Sequence, residues 1–359
     1  MRYFMIVSLT LLILAGCSDP IKDTEPIGEN MKLVVHPFTR SLSVVDTEKF
    51  EIIRTIPLGR FVIDYATAPN GKIYIPLHDD KGDKESYVAV LDPKTGSLKK
   101  IPNQYGSEDF ITITKDGTAF IRTGIFTNVK DNYTLLMDTE SDQVIGTVMI
   151  PGAWTRMERF SDTQVIVGVN NPENGTEGNV FIVDRNKAVP IFPESLHPRA
   201  PFEIRYNFES GTAYFLYNGV VDEPLKQRYM TKTTDMRTLE AHIDVWNLKT
   251  LTRIKQIYLP FPRVSSMVLD SRGMLYVGNR DVSPNEPMKH VLVINPSSGH
   301  IRQLETVRSP ESVHIDNDRL YVGSGIDGEM DIFQLPNLEH VKRISSFKDK
   351  VYLPIVTIN

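Results

Sequence analysis

Only one cysteine, Cys17, occurs in the whole chain. A lone thiol closes no intrachain disulfide and builds no thiolate metal site. Basic residues are not in excess: 40 Lys and Arg stand against 45 Asp and Glu, and the net charge of −5 is spread along the chain. That balance gives nucleic acid no electrostatic footprint, so none is expected as a partner. The N-terminal apolar run Met5–Leu14 is far shorter than the ~20 residues a comfortable membrane-spanning helix needs. Helical periodicity is scarce, and catalytic motifs are lacking: no Walker loop, H-E-x-x-H or G-x-S-x-G occurs. Gly323-Ser324-Gly325-Ile326-Asp327-Gly328 spells G-x-G-x-x-G, but the strand-like run Met330–Phe333 follows where pyrophosphate would need a helix N-terminus, so it reads as a turn. The eight histidines are dispersed without ligand spacing, His36 and His78 among them. Lys81 and Lys84 interrupt the acidic loop of Asp79, Asp80, Asp83 and Glu85, which lacks the EF-hand order. No cofactor, metal site or catalytic residue is expected.

What is present starts at the N-terminus. Arg2, the apolar run and the small pair Ala15-Gly16 lead to Cys17. The order Leu14-Ala15-Gly16-Cys17 resembles the bacterial lipoprotein signal box. The resemblance implies that residues 1–16 are a signal peptide and that acyl chains, palmitate among them, are carried on Cys17. Each buried methylene contributes ~0.8 kcal/mol, so two or more chains anchor stably. The expected address is extracytoplasmic and lipid-anchored: the outer leaflet of the cell membrane or, since Ser18 would permit sorting, an outer membrane. Residues 17–30 read as the lipidated cysteine and a flexible tether, with Pro20, Pro26, Gly28 and mostly acidic charge. Residues 31–359 read as one domain.

A repeat explains that length. Short β-branched runs end in a polar residue at Asp46, Asp92, Asp138, Asp184, Asn247, Asn295 and Gln334, spaced 46, 46, 46, 63, 48 and 39 residues apart. A second column of runs precedes them, from Lys72–Ile75 to Leu320–Val322. Each unit reads as four short strands; the first complete one offers 61–68, 72–77, 87–91 and 98–101. Asn70-Gly71, Asp116-Gly117, Ser210-Gly211 and Arg272-Gly273 mark tight first turns, and Asp92–Gly96 and Asn295–Gly299 mark third-to-fourth strand turns. Four-stranded units of this length predict an all-β, seven-bladed β-propeller of antiparallel blades. Seven blades require the terminal run 351–358 to pair with Met31–Val35, which leaves no open sheet edge. The segments Ser43–Thr47, Ile53–Gly59 and Ala68–Tyr74 resemble the YVTN-type propeller repeat. The likeness extends weakly over 31–359 and departs from the pattern at Ser161-Asp162-Thr163 and in the stretched fourth unit. It implies fold, not activity.

Antiparallel order puts the tight turns on one face. The other face receives the long second-to-third loops: 77–86, 123–132, 170–178, 218–241 and 279–289. Long loops on a rigid scaffold are where binding concentrates. The chain ends meet on the short-turn face, so the loop-rich face is expected to point away from the anchor. Arg60, Arg156, Arg199, Arg263 and Arg308 recur where the chain enters each innermost strand, with Lys348 or Lys350 in the seventh. Converging guanidinium groups suit a carboxylate, phosphate or acidic sugar. Equally, the nearby Asp64, Glu158, Glu203 and Glu311 can pair with arginines and hold the ring together. Trp154, Tyr105 and Phe261 either stack on a ligand or pack between blades. The excursion 218–241, with Lys226, Arg228, Tyr229, Met230, Lys232 and Arg237, is a partner-binding hairpin or a solvated loop. The reading favoured is a non-enzymatic binding or assembly scaffold for a protein partner, an anionic small molecule or a glycan. The alternative is a propeller enzyme of the lactonase or quinoprotein-dehydrogenase kind, with Glu158, Glu203 and Asn279 as candidate metal ligands.

Overall fold

A computed structural model describes residues 22–28, 31–36, 39–62, 64–77, 86–103, 108–123, 132–170, 178–192, 199–221, 227, 236–280, 287–345, 347 and 352–357. Side chains of 108, 109, 132, 153, 154, 236, 238 and 352–357 are outside that description. Among the described residues, 28 strands form seven antiparallel sheets of four. The sheets are the blades of a closed ring, numbered here from the unit that begins near residue 61.

Burial explains the strand patterns. The second strands, such as Ile73–Leu77 and Leu275–Asn279, are buried along their whole length because both sheet faces are covered by neighbouring blades. Outermost strands alternate or stay exposed, as Glu51–Pro57 and His300–Glu305 do. Seven hydrophobic clusters fill the seven blade interfaces. Phe120, Leu136, Val165 and Val167 join blades two and three; Leu33, Leu42, Ile75 and Leu77 join blades seven and one.

The ring closes as expected. The strand Tyr352–Thr357 pairs with Met31–His36, with Leu33 opposite Val356, and completes blade seven with Ser41–Asp46 and Glu51–Pro57. Turn chemistry also holds. Gly273 sits at φ +80° in the first turn of blade five, and Asn317 is left-handed at φ +53° in the shorter first turn of blade six. The G-x-G-x-x-G run leads from the strand Arg319–Ser324 through a bend into the strand Met330–Gln334. Two expectations are corrected. The innermost strand of blade one is only Ala66–Thr67, and the side chains of Asp64 and Tyr65 just before it bond to the neighbouring blades two and seven. Part of the tether is docked: Thr24 N–H donates to the Gly96 carbonyl at 2.8 Å, Ile27 N–H donates to Pro93 at 2.8 Å, and Asp23 Oδ1 accepts from Leu98 N–H at 2.9 Å. Arg54 of blade seven reaches Glu25 at 2.8 Å. The reason is Ile27, which is buried in the cluster between blades seven and one.

Candidate functional site

The central channel is lined by alternate residues of the innermost strands. Those strands face one another across blades rather than within a sheet, so their edge groups need partners. Polar side chains supply them in sequence around the ring. Asp64 Oδ2 accepts from Ile111 N–H at 3.3 Å, Thr112 Oγ1 donates to the Met157 carbonyl at 2.9 Å, and Glu203 Oε2 accepts from Met267 N–H at 2.6 Å. Ser266 Oγ accepts from Val313 N–H at 3.1 Å and donates to the Glu311 carbonyl at 3.0 Å. Lys32 pairs with Asp316 at 2.6 Å, joining blades seven and six. Arg205 spans Glu203 at 2.5 Å and Glu158 at 3.1 Å. Burial pushes the Asp64 and Glu158 carboxyls above the usual range, against the pull of Arg156 and Arg205 respectively. Burial also weighs against the Arg205 cation, yet Glu203 and Glu158 outweigh it and hold its pKa above the ordinary value.

Above this floor, on the loop-rich face, lies a pocket of about 420 Å³. Its wall carries Arg156, Arg263 and Arg280 against one carboxylate, Glu311. Local backbone geometry aims these groups. The innermost strands of blades two, three, five and six break register at the mouth, as that of blade seven also does, and each of these breaks leaves at least one unpaired residue on the inner strand. The residues so displaced include Phe110, Arg156, Ser265 and Glu311, and all four line the pocket. Bulges of this kind re-aim side chains next to binding sites. In blades three, five and six the partner strand places a glycine at the break: Gly168, Gly278 and Gly323. Two of these glycines also let the entering chain approach. A Cβ on Gly168 would lie 2.8 Å from the Pro201 carbonyl oxygen, and one on Gly278 2.5 Å from that of Pro310.

The pocket's charges are unevenly committed. Arg280 Nη2 donates to Glu311 at 2.9 Å, and Ser309 Oγ donates to the other Glu311 oxygen at 3.2 Å. Arg156 is held over the Phe110 ring at 4.8 Å and stands 3.9 Å from Glu203. Arg122 covers the same ring at 4.9 Å, so Phe110 is a clamp for arginines. Arg263 has no acidic partner among the described residues, and Ser265 Oγ has no hydrogen-bond partner there. The Phe202 side chain, 41% exposed, faces the same space.

Of the arginines read from the sequence, the pocket gathers Arg156 and Arg263. Arg60 lies over the Tyr87 ring at 5.0 Å, and buried Arg199 donates to the Glu240 carbonyl at 3.3 Å. Arg308 is half-buried and not part of the wall; its carbonyl accepts from Ser324 Oγ at 2.7 Å. Of the anticipated acidic partners, Glu158 and Glu203 are held chiefly by Arg205, and Glu311 by Arg280, neither of them a crossing arginine. Glu158 and Glu203 converge on that guanidinium, whereas Asn279 Nδ2 donates to the His290 carbonyl at 2.7 Å. Among the described residues no three carboxylate or histidine groups lie close enough to share a metal ion. Arg237 of the excursion packs over Tyr258 at 3.9 Å. Cys17, Tyr105, Lys348, Lys350, the acidic loop with His78, and Lys226, Arg228, Tyr229, Met230 and Lys232 lie outside the described residues, as does the side chain of Trp154 on the innermost strand of blade three. Sequence reading missed Phe110, Phe202, Ser265 and Arg280. The repeated Val-Gly at second-strand ends, Val167-Gly168, Val277-Gly278 and Val322-Gly323, is the signal that marks the facing bulges.

No protein-family profile and no curated protein matches the chain. Solved structures do match, at the level of fold. A functionally unknown protein from Desulfotomaculum acetoxidans superposes with a TM-score of 0.62 at 14% identity, covering 92% of this chain and 100% of its own. The dihydro-heme d1 dehydrogenase NirN, in complex with DHE, gives 0.60 at 12% identity, over 93% and 76%. Apo AztD from Citrobacter koseri gives 0.57 at 12%, over 90% and 96%. At these identities the shared property is the propeller fold.

Proposed function

We propose that this seven-bladed propeller is an extracytoplasmic lipoprotein of YVTN-like repeats, anchored through Cys17, whose loop-rich face binds an anionic ligand in the pocket at the channel mouth. The observation that carries the reading is the convergence of Arg156, Arg263 and Arg280 against the single carboxylate Glu311. Guanidinium forks recognise oxyanions in two parallel hydrogen bonds, and a concave wall strengthens each of them. The docked segment 22–28 supports the orientation. It lies against the Asp92–Gly96 turn on the short-turn face, opposite the pocket.

Two measurements test this. The first is calorimetric titration of the purified chain with carboxylate and phosphate ligands, compared with Arg263→Ala and Arg280→Ala. Loss of each guanidinium should weaken capture about tenfold or more, equivalent to ~1.4 kcal/mol. Unchanged affinity in both folded variants overturns the pocket. The second is metabolic labelling with palmitate. Label that persists in a Cys17→Ser variant removes the anchor and leaves the pocket to stand alone.

A further inference from the structure

We infer that the ligand of the mouth pocket is a carboxylated saccharide, a uronic-acid-bearing sugar of one or two rings; this rests on the anion-site reading above and narrows it. Two groups on the wall are available to a ligand. Arg263 has no acidic partner among the described residues, so it offers a planar fork to one carboxylate. The neighbouring Ser265 Oγ is buried and has no hydrogen-bond partner among the described residues. The Phe202 ring, 41% exposed in the wall, has no cation or second ring over it among the described residues. Phe110 is not equivalent, because Arg122 and Arg156 already lie over it. A single open ring face suits the C–H face of a pyranose, while the carboxylate engages Arg263.

Glu311 sets the second requirement. It lines the same pocket, paired with Arg280 at 2.9 Å. A compact anion such as phosphate meets this carboxylate as a like charge. A sugar keeps its carboxylate apart from its hydroxyl groups, so it can place hydroxyl donors at Glu311 and its anionic group at Arg263. The volume of about 420 Å³ lies within the ~300–1,000 Å³ typical of small-molecule sites.

The test is isothermal titration of the full chain, purified in detergent, with digalacturonate, the matching neutral digalactose, and inorganic phosphate. Phe202→Ala and Arg263→Ala are measured alongside, with thermal unfolding to check their fold. Digalacturonate should bind, with the neutral sugar and phosphate each weaker by about tenfold or more. Phe202→Ala should weaken digalacturonate by a similar factor and leave the weak phosphate binding unchanged. Phosphate that binds as tightly as digalacturonate, or a Phe202→Ala variant without effect on the sugar, overturns the saccharide assignment while the anion site survives. If none of the anions binds wild type, the anion reading fails with it.

Discussion

At Arg205 two carboxylates from adjacent innermost strands share one guanidinium, and Glu203 is almost wholly removed from solvent. Removing one member of such a cluster leaves the others uncompensated, which typically costs ~3–5 kcal/mol. Arg205→Leu should therefore lower the denaturation midpoint far more than Arg263→Leu, since Arg263 has no acidic partner among the described residues. Chemical unfolding of both variants checks this. A second residue makes the channel sensitive to acid. Burial lowers the pKa of His314 from 6.5 to about 4; Asp316 pulls it up, and Arg205 and Lys32 push it down. The unfolded chain takes up this proton first as pH falls, so the stability His314 contributes is present above 6.5 and is lost as pH falls through 4. With the ring half-buried beside the channel, the loss is on the order of 2 kcal/mol. Stability curves from pH 7 to 4 should be shallower for His314→Gln; parallel curves would contradict the assignment. The opposite contributions of Asp64 and Glu158, whose raised pKa values favour folding at low pH, are common to both proteins and cancel in the difference. Little of this was legible beforehand. The acidic residues were visible, but their partner Arg205 stands inside a strand, and only alternation around the ring turns it toward the channel.

Strands and turns were far more legible, because their signals are local. Glycine after a polar residue fixed the tight turns, and β-branched runs fixed the buried second strands. Bulges were not read, because a register break depends on what the partner strand can accommodate. The glycines separate the two kinds of information. Gly273 has open space around its absent Cβ and a left-handed backbone, which Asn adopts more readily than other residues with a side chain, so Gly273→Asn should be tolerated. Gly278 has ordinary backbone angles but no room. A Cβ there meets the Pro310 carbonyl oxygen at 2.5 Å and the hydroxyls of Ser266 and Ser265 at 2.9 and 3.0 Å. Gly278→Ala should cost ~1–3 kcal/mol as an overpacked contact. It should also shift the two bulges that carry Ser265 and Glu311. Unfolding and anion titration on the same variant check both effects, and a variant with wild-type stability and affinity would show that the crossing yields without consequence.

At the scale of the whole ring, the N-terminal segment holds two blades that the chain otherwise joins only through one crossing and their packed faces. Its backbone and Asp23 bind the turn of blade one, Glu25 binds Arg54 on the outer strand of blade seven, and Ile27 fills the cluster between them. Gly96 admits it: a Cβ there would lie within bonding distance of the Thr24 carbonyl. Composition hid this role, since the stretch is acidic and carries Pro and Gly, and one isoleucine decides the outcome. Ile27→Asp puts a charge in a dry cluster, so the segment should detach and withdraw ~1.5–3 kcal/mol of burial from the closure. The ring should survive, because the pairing of Met31–His36 with Tyr352–Thr357 does not pass through Ile27. Deleting 352–359 instead exposes the edge of Met31–His36 and should open the ring into an aggregating sheet stack. Limited proteolysis separates the two cases: cleavage confined to residues 18–30 for Ile27→Asp, and general degradation for the deletion. Equal protection of residues 22–28 in wild type and Ile27→Asp would mean that the backbone bonds alone hold the segment to the ring.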